Sequence, residues 1–153
     1  MSMSYYSDQG WGYKITDERC NAEGIKRCIM KSKETYEDVL AWCNEHNKKF
    51  EELDSDDLRE AAEYLCDSYT TEFGLVAKAM NEETGISFSA IKNFDSCEEY
   101  IIYPVAFPWW LNTKEKALKK EELEEIMTEW YRVLVGDEDE TPDFNFIDCV
   151  NWG

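Results

Sequence analysis

One histidine and six cysteines are the residues with which this chain could build a nucleophile or hold a soft metal ion. The cysteines stand at positions 20, 28, 43, 66, 97 and 149, and none of them forms a Cys-x-x-Cys pair. Structural zinc sites usually combine four Cys or His ligands, two of them close in sequence. A Cys–His nucleophile would have to use His46, and nothing marks one cysteine as its partner. The spacing therefore favours buried structural thiols over a zinc or thiol site.

Carboxylates are the second group that could carry chemistry, because the chain holds 34 Asp and Glu residues. The stretch "LDSDDLRE" at 53–60 partly resembles a calcium-binding loop but lacks its glycine. No glycine-rich phosphate loop is present, and no single carboxylate pair stands out as an acid–base couple. We therefore expect no catalytic residue, no cofactor and no metal, and we keep a carboxylate-based metal enzyme as an alternative.

The net charge is the strongest signal in the composition. Only 16 Lys and Arg residues oppose the acidic side chains, which leaves a formal net charge of −18. Such a chain is repelled by nucleic acid and by anionic membranes, and it is attracted to basic protein surfaces that hold nucleic acid. Acidic surfaces also keep proteins in solution without mimicking anything. Charge alone therefore leaves a binding role and a solubility role open.

Three acidic regions of the sequence favour a binding role over a solubility role. On a helix, side chains three or four residues apart lie about 5–6 Å from each other, a spacing comparable to that of successive phosphates along one nucleic-acid strand. The candidate partner-binding carboxylates are Asp56, Glu60, Glu63 and Asp67 within 51–67, then Glu121, Glu125 and Glu129, and then Asp137, Glu138, Asp139 and Glu140. These rows predict an anionic surface that competes with DNA or RNA for a basic partner.

Tryptophans supply the candidate apolar contacts. Trp109 and Trp110 are adjacent in "FPWWLN", and Trp152 stands beside the last residue. An exposed tryptophan would suit a partner interface. The alternative is that Trp110 or Leu111 packs on the core at the start of a helix. A structural or interaction protein that binds through these rings is therefore a second functional hypothesis.

The order of the predicted elements indicates one α+β domain spanning residues 1–153. We expect several helices packed on a small, mainly antiparallel sheet, with the first and last strands side by side. The predicted strands cover 10–15, 86–91, 99–107 and 144–152, and the predicted helices cover 17–31, 33–46, 56–69, 72–85 and 113–135. The alternative for 10–15 is a mobile N-terminal loop in which Trp11 covers the core. Ser32, Asp54 or Ser55, and Thr113 are the predicted N-caps, and Gly85 and Gly136 are the predicted helix ends. Pro104 predicts an edge or an interruption in its strand.

The cellular location that we expect follows from two kinds of segment that the sequence lacks. The first residues, "MSMSYYSDQGWG", contain no basic and apolar leader, and no stretch of about 18 apolar residues is present. We therefore expect a cytoplasmic protein with reduced thiols.

In size, acidity and lack of a catalytic motif, the chain resembles the small inhibitors that phages and mobile elements encode, among them anti-CRISPR proteins and other DNA mimics. The resemblance lies in the acidic rows given above. It implies occlusion of a basic nucleic-acid groove, such as the site where a CRISPR effector nuclease reads the duplex flanking its target. We therefore expect a non-enzymatic protein that binds a basic nucleic-acid-binding protein in the host cytoplasm and blocks its DNA or RNA site, without binding nucleic acid or membrane itself.

Overall fold

An antiparallel sheet organises the chain in the computed structural model. The structure describes residues 5–15, 18–66, 71–93, 96–104 and 108–152, with only the backbone at 5–8, 108 and 150–152. Within these residues the sheet has four strands, β1 (Tyr5–Lys14), β2 (Ser89–Lys92), β3 (Glu99–Pro104) and β4 (Asn145–Trp152), in the order β2-β3-β1-β4. The first and last strands are neighbours, as predicted, and their register runs from Tyr5 opposite Trp152 to Gly12 opposite Asn145.

Helices make up most of the remaining described chain. They are α1 (Ala22–Lys31), α2 (Lys33–Glu45), α3 (Ser55–Leu65), α4 (Gly74–Thr84), α5 (Thr113–Lys116) and α6 (Lys120–Val135), with short 3₁₀ turns at Phe50–Glu52 and Pro108–Trp110. Several helices with a small antiparallel sheet confirm the predicted α+β class.

Strands β2 and β3 pair antiparallel, with Lys92 opposite Glu99. The prediction of an edge or an interruption at Pro104 is confirmed. Although β3 lies between β2 and β1, its pairing with β2 ends at Ile102, and β3 itself ends at Pro104, opposite Gly10 of β1. This position fits a residue that has no N–H to donate to a ladder. The predicted continuation over 105–107 falls outside the described residues.

The core contains residues of α1, α2, α3, α4 and α6 and of the sheet, and one part of it forms where β1 packs against α6. Tyr13 is buried, its hydroxyl donates to the carbonyl oxygen of Met127 at 3.2 Å, and its ring meets Tyr131 edge-on at 5.0 Å between centroids. Helix α1 packs on α6 as well and fixes its carboxyl end, because Arg27 donates to the carbonyl oxygens of Val133 (2.9 Å) and Leu134 (3.1 Å). These contacts hold α6 in one orientation relative to the sheet.

The single long helix predicted over 113–135 is wrong, because the chain forms α5 and α6 with a break at 117–119. The predicted cap was also wrong. Asn112, not Thr113, is the N-cap of α5, and it forms a complete capping box with Glu115. The Glu115 carboxylate is buried and also accepts hydrogen bonds from Ser87 N (3.4 Å) and the Tyr103 hydroxyl (3.1 Å). Contacts to distant segments therefore hold α5 and interrupt a pattern that looks continuous in the sequence.

The other helix and strand boundaries differ less from the predicted ones. The helix predicted from position 17 begins at Ala22, because Asn21 caps it by accepting from Gly24 N at 3.2 Å. The strand predicted over 86–91 begins at Ser89. Ser32 and Asp54 are N-caps, and Gly85 and Gly136 end their helices with φ of 73° and 74°, as predicted.

The start of α3 predicts a pH dependence of stability. The Asp57 carboxylate forms an ion pair with Lys48, and it completes the capping box with Asp54. The hydrogen bond from Lys48, followed by that from the Asp54 backbone, lowers the pKa of the Asp57 carboxyl below its ordinary 3.8. A lowered folded-state pKa gives stabilisation that is complete above 3.8 and is lost as the pH falls through the folded-state value.

We therefore expect Asp57→Asn to lower the free energy of unfolding at pH 7 by roughly 0.5 kcal/mol, with the difference from wild type shrinking in acid. Urea denaturation at neutral pH and near pH 3 measures both values. Asp56→Asn is the matched control, because the exposed Asp56 pairs only with the exposed Arg59 on its own helix, at 3.2 Å. An equal loss in both variants at both pH values would contradict this role of Asp57.

Candidate acidic binding groove

An open groove of about 800 Å³ runs between α6 and the segment that leads into β4. Its lining combines the second and third acidic regions with a single guanidinium, that of Arg132. The carboxylates that line it are Glu121, Glu122, Glu124, Glu125, Glu129 and Glu138. We call this feature the acidic groove. The structure thus brings together two regions that lie apart in the sequence.

Helix periodicity points the α6 carboxylates outward. Met127, Trp130 and Leu134 are buried on the face that packs on the core. Glu121, Glu125 and Glu129 follow one another at four-residue steps and are exposed on the outer face. Glu129 forms an ion pair with Lys31 of α1 at 3.0 Å, whereas Glu121 and Glu125 form no ion pair within the described residues. The predicted row therefore stands on one wall of the groove.

The third acidic region is a turn held against α6. Gly136 ends the helix, and Asp137 accepts from Asp139 N at 2.9 Å. Arg132 donates to the Glu140 carbonyl oxygen at 2.8 Å, and the Glu140 carboxylate pairs with Arg19 at 2.6 Å. Among the four residues predicted in this region, Glu138 lines the groove, and the Glu140 carboxylate is held by Arg19.

The first acidic row lies elsewhere. Asp56, Glu60 and Glu63 are exposed on α3, which packs against α2 and α4 and contributes no described residue to the groove. Asp67 falls outside the described residues. The three predicted regions therefore form at least two surfaces, and the acidic groove is lined by residues of the second and third regions.

Two aromatic residues that the sequence reasoning did not assign to a site accompany the groove. Phe144 lines it and stacks on Trp11, with ring centroids 6.0 Å apart and planes 10° from parallel. Phe146 lies directly opposite Trp11 in the β1–β4 register, so both side chains are on the same face of the sheet, and it is 57% exposed. In the sequence, the alternation of Phe144 and Phe146 directly after the acidic turn could have indicated that both rings lie on one face of the final strand.

The tryptophan predictions have mixed outcomes. Trp109 and Trp110 are 71% and 66% exposed, so the alternative in which Trp110 packs on the core is wrong, while Leu111 is half-buried. Neither ring lines the acidic groove. The side chain of Trp152 falls outside the described residues.

The residues with catalytic potential have structural contacts. His46 is the C-cap of α2, its ring stacks on Trp42 at 4.2 Å, and its Nδ1 lies 2.8 Å from the Trp42 carbonyl oxygen. Burial raises the pKa of the Cys28 thiol to about 12, which keeps it protonated at neutral pH. Across the described residues, no group of three or more His, Cys, Asp or Glu side chains is arranged to hold a metal ion. None of the described helices has both the length and the apolar character to span a bilayer.

The chain matches no protein-family model, no curated protein and no solved structure.

Proposed function

We propose that this chain is a non-enzymatic acidic binding protein. Its acidic groove receives a basic surface of a nucleic-acid-binding protein and so blocks that protein's DNA or RNA site. The observation that carries the proposal is one concave surface whose described lining holds five carboxylates of α6, the carboxylate of Glu138 and one guanidinium.

The chemistry of the groove suits lysine- and arginine-rich surfaces. Carboxylates accept paired hydrogen bonds from guanidinium groups, and a concave array of one charge sign speeds association with the opposite sign. Charges at a rim mainly steer association, so affinity also needs apolar contact. Phe144 within the groove and Phe146 beside it supply that contact.

The partner class follows from the same charges. A surface built to hold a phosphate backbone carries the positive charge that this groove attracts. Inhibitors encoded by phages and mobile elements, including anti-CRISPR proteins, occupy such surfaces, and we propose a CRISPR effector nuclease as a candidate partner. This proposal places the protein in the host cytoplasm, where cysteines stay reduced, and the structure has all six cysteines as thiols.

An affinity pull-down at low salt, eluted with rising salt and identified by mass spectrometry, tests the proposal. The expected result is a nucleic-acid-binding protein that excess duplex DNA or RNA displaces from the immobilised chain. A partner that remains bound in high salt and in the presence of nucleic acid would contradict the proposal.

Phe146→Ala should weaken binding of that partner about tenfold, because a large ring at an interface contributes roughly 1–2 kcal/mol. Stability should change little, since the ring is mostly exposed. Titration calorimetry measures the affinity, and thermal unfolding checks the fold. Tyr64→Ala is the matched control, because Tyr64 is 68% exposed on α3, outside the groove. Equal affinities of the two variants would remove Phe146 from the interface.

A second candidate function rests on the exposure of Trp109 and Trp110. Adjacent exposed tryptophans are typical anchors of protein interfaces. In this case Trp109→Ala/Trp110→Ala would abolish partner binding, and charge reversal in the groove would leave it unchanged.

A further inference from the structure

A second pocket, of about 390 Å³, lies between the sheet and the turn that joins α5 to α6. We call it the tryptophan pocket, because the Trp11 ring of β1 forms part of its wall. Leu111, Leu118 and Leu123 supply further apolar surface. Its size and mainly apolar lining match sites for small organic molecules, which commonly occupy about 300–1,000 Å³. The residues that line it are distinct from those of the acidic groove.

The charge beside the pocket is positive. Lys120 Nζ lies 4.3 Å from the centroid of the Trp11 ring, and Lys119 lines the same pocket. Both residues stand at the start of α6, where no side chain caps the helix. Two ammonium groups and the amino end of a helix dipole favour a negatively charged ligand group.

The single carboxylate in the lining does not reverse this preference. Glu115 is buried and already accepts hydrogen bonds from Asn112 N, Ser87 N and the Tyr103 hydroxyl. Burial and the neighbouring Glu115 raise the pKa of Tyr103 to about 12, so this hydroxyl remains a donor to Glu115 at neutral pH. The donors that a ligand can reach are therefore the ammonium groups of Lys119 and Lys120.

We propose that the tryptophan pocket binds a small organic anion with a flat apolar body and one carboxylate. The apolar body lies against Trp11 and the leucines. The carboxylate accepts from Lys119 or Lys120. This binding is independent of the acidic groove and of the partner protein.

The test uses three probes of nearly equal shape: phenylacetate, phenylacetamide and phenethylamine. They are titrated into ¹⁵N-labelled protein, and the indole N–H signal of Trp11, assigned with Trp11→Phe, is followed by NMR. If that variant does not fold, the backbone amides of Leu118 and Lys119 are followed instead. Phenylacetate should shift these signals saturably in the millimolar range, phenylacetamide should bind more weakly, and phenethylamine should not bind.

Lys119→Gln/Lys120→Gln should weaken phenylacetate binding at least about fivefold, because it removes charged donors. Lys33→Gln/Lys49→Gln is the control, since it removes the same charge from exposed residues outside the lining. Leu118→Trp should abolish binding by filling the pocket. The proposal is overturned if phenylacetate causes no saturable shift, if phenethylamine binds equally well, or if the two lysine pairs behave alike. These measurements need no partner protein, so their outcome tests the tryptophan pocket independently of the proposed function.

Discussion

Reversing the charge of Glu121, Glu125 and Glu129 to lysine should weaken binding of the basic partner about 100-fold at low salt. Each close charge pair across an interface contributes on the order of 1–2 kcal/mol, and same-sign contacts add a penalty. These three side chains stand in one row along the wall of the acidic groove. The variant should also have a shallower dependence of the dissociation constant on salt, because fewer ion pairs form.

The structure offers a matched control for this variant. Asp56→Lys/Glu60→Lys/Glu63→Lys makes the same change in net charge on another exposed helix. Each row also has one ion pair, Glu129 with Lys31 and Asp56 with Arg59. Long-range attraction therefore falls about equally in both variants, and a difference between them measures the groove itself. We expect the α3 variant to weaken binding less than about threefold.

Fluorescence anisotropy or calorimetry at several salt concentrations, with the partner recovered by pull-down, measures both quantities. Circular dichroism confirms that each variant is folded. Equal losses in the two variants would show that net charge alone drives association. No loss in either variant would reject the acidic surface and favour Trp109 and Trp110.

The second large effect is expected at Gly24. Gly24→Ala should destabilise the fold by about 2–4 kcal/mol, although alanine is the better helix former by about 1 kcal/mol. Gly24 lies inside α1 at the contact with α6, where an added Cβ would overlap the carbonyl oxygen of Leu134. Because the obstructing atom belongs to the backbone, α1 and α6 would have to move apart. The same movement would disturb the hydrogen bonds from Arg27 to the end of α6.

Urea denaturation of wild type, Gly24→Ala and Met30→Ala measures this effect. Met30 lies on the same helix and is exposed, so its replacement should change stability by less than about 0.5 kcal/mol. A more stable Gly24→Ala protein would mean that helix propensity outweighs the close approach of the two helices, and it would refute the packing described for α1 and α6.

The sequence by itself determined the features that depend on neighbours along the chain. Ser32 and Asp54 were recognisable as caps because their side chains bond to backbone N–H groups three residues later. Gly85 and Gly136 were recognisable as helix ends because glycine readily adopts positive φ. Apolar periodicity identified most helices and strands, and their order was enough to predict the α+β class.

Tertiary structure decided what depends on residues distant in sequence. Periodicity alone could not locate the break before α6, because Glu115 is held by Ser87 and Tyr103. It also could not show that Gly24 meets Leu134, or that Phe146 stands opposite Trp11. The acidic rows were visible as charge patterns, but a charge row carries no information about which other row it faces. Only the packing of α6 beside the turn at 137–140 placed Glu138 with the α6 carboxylates in one groove, whereas the row on α3 lies outside it.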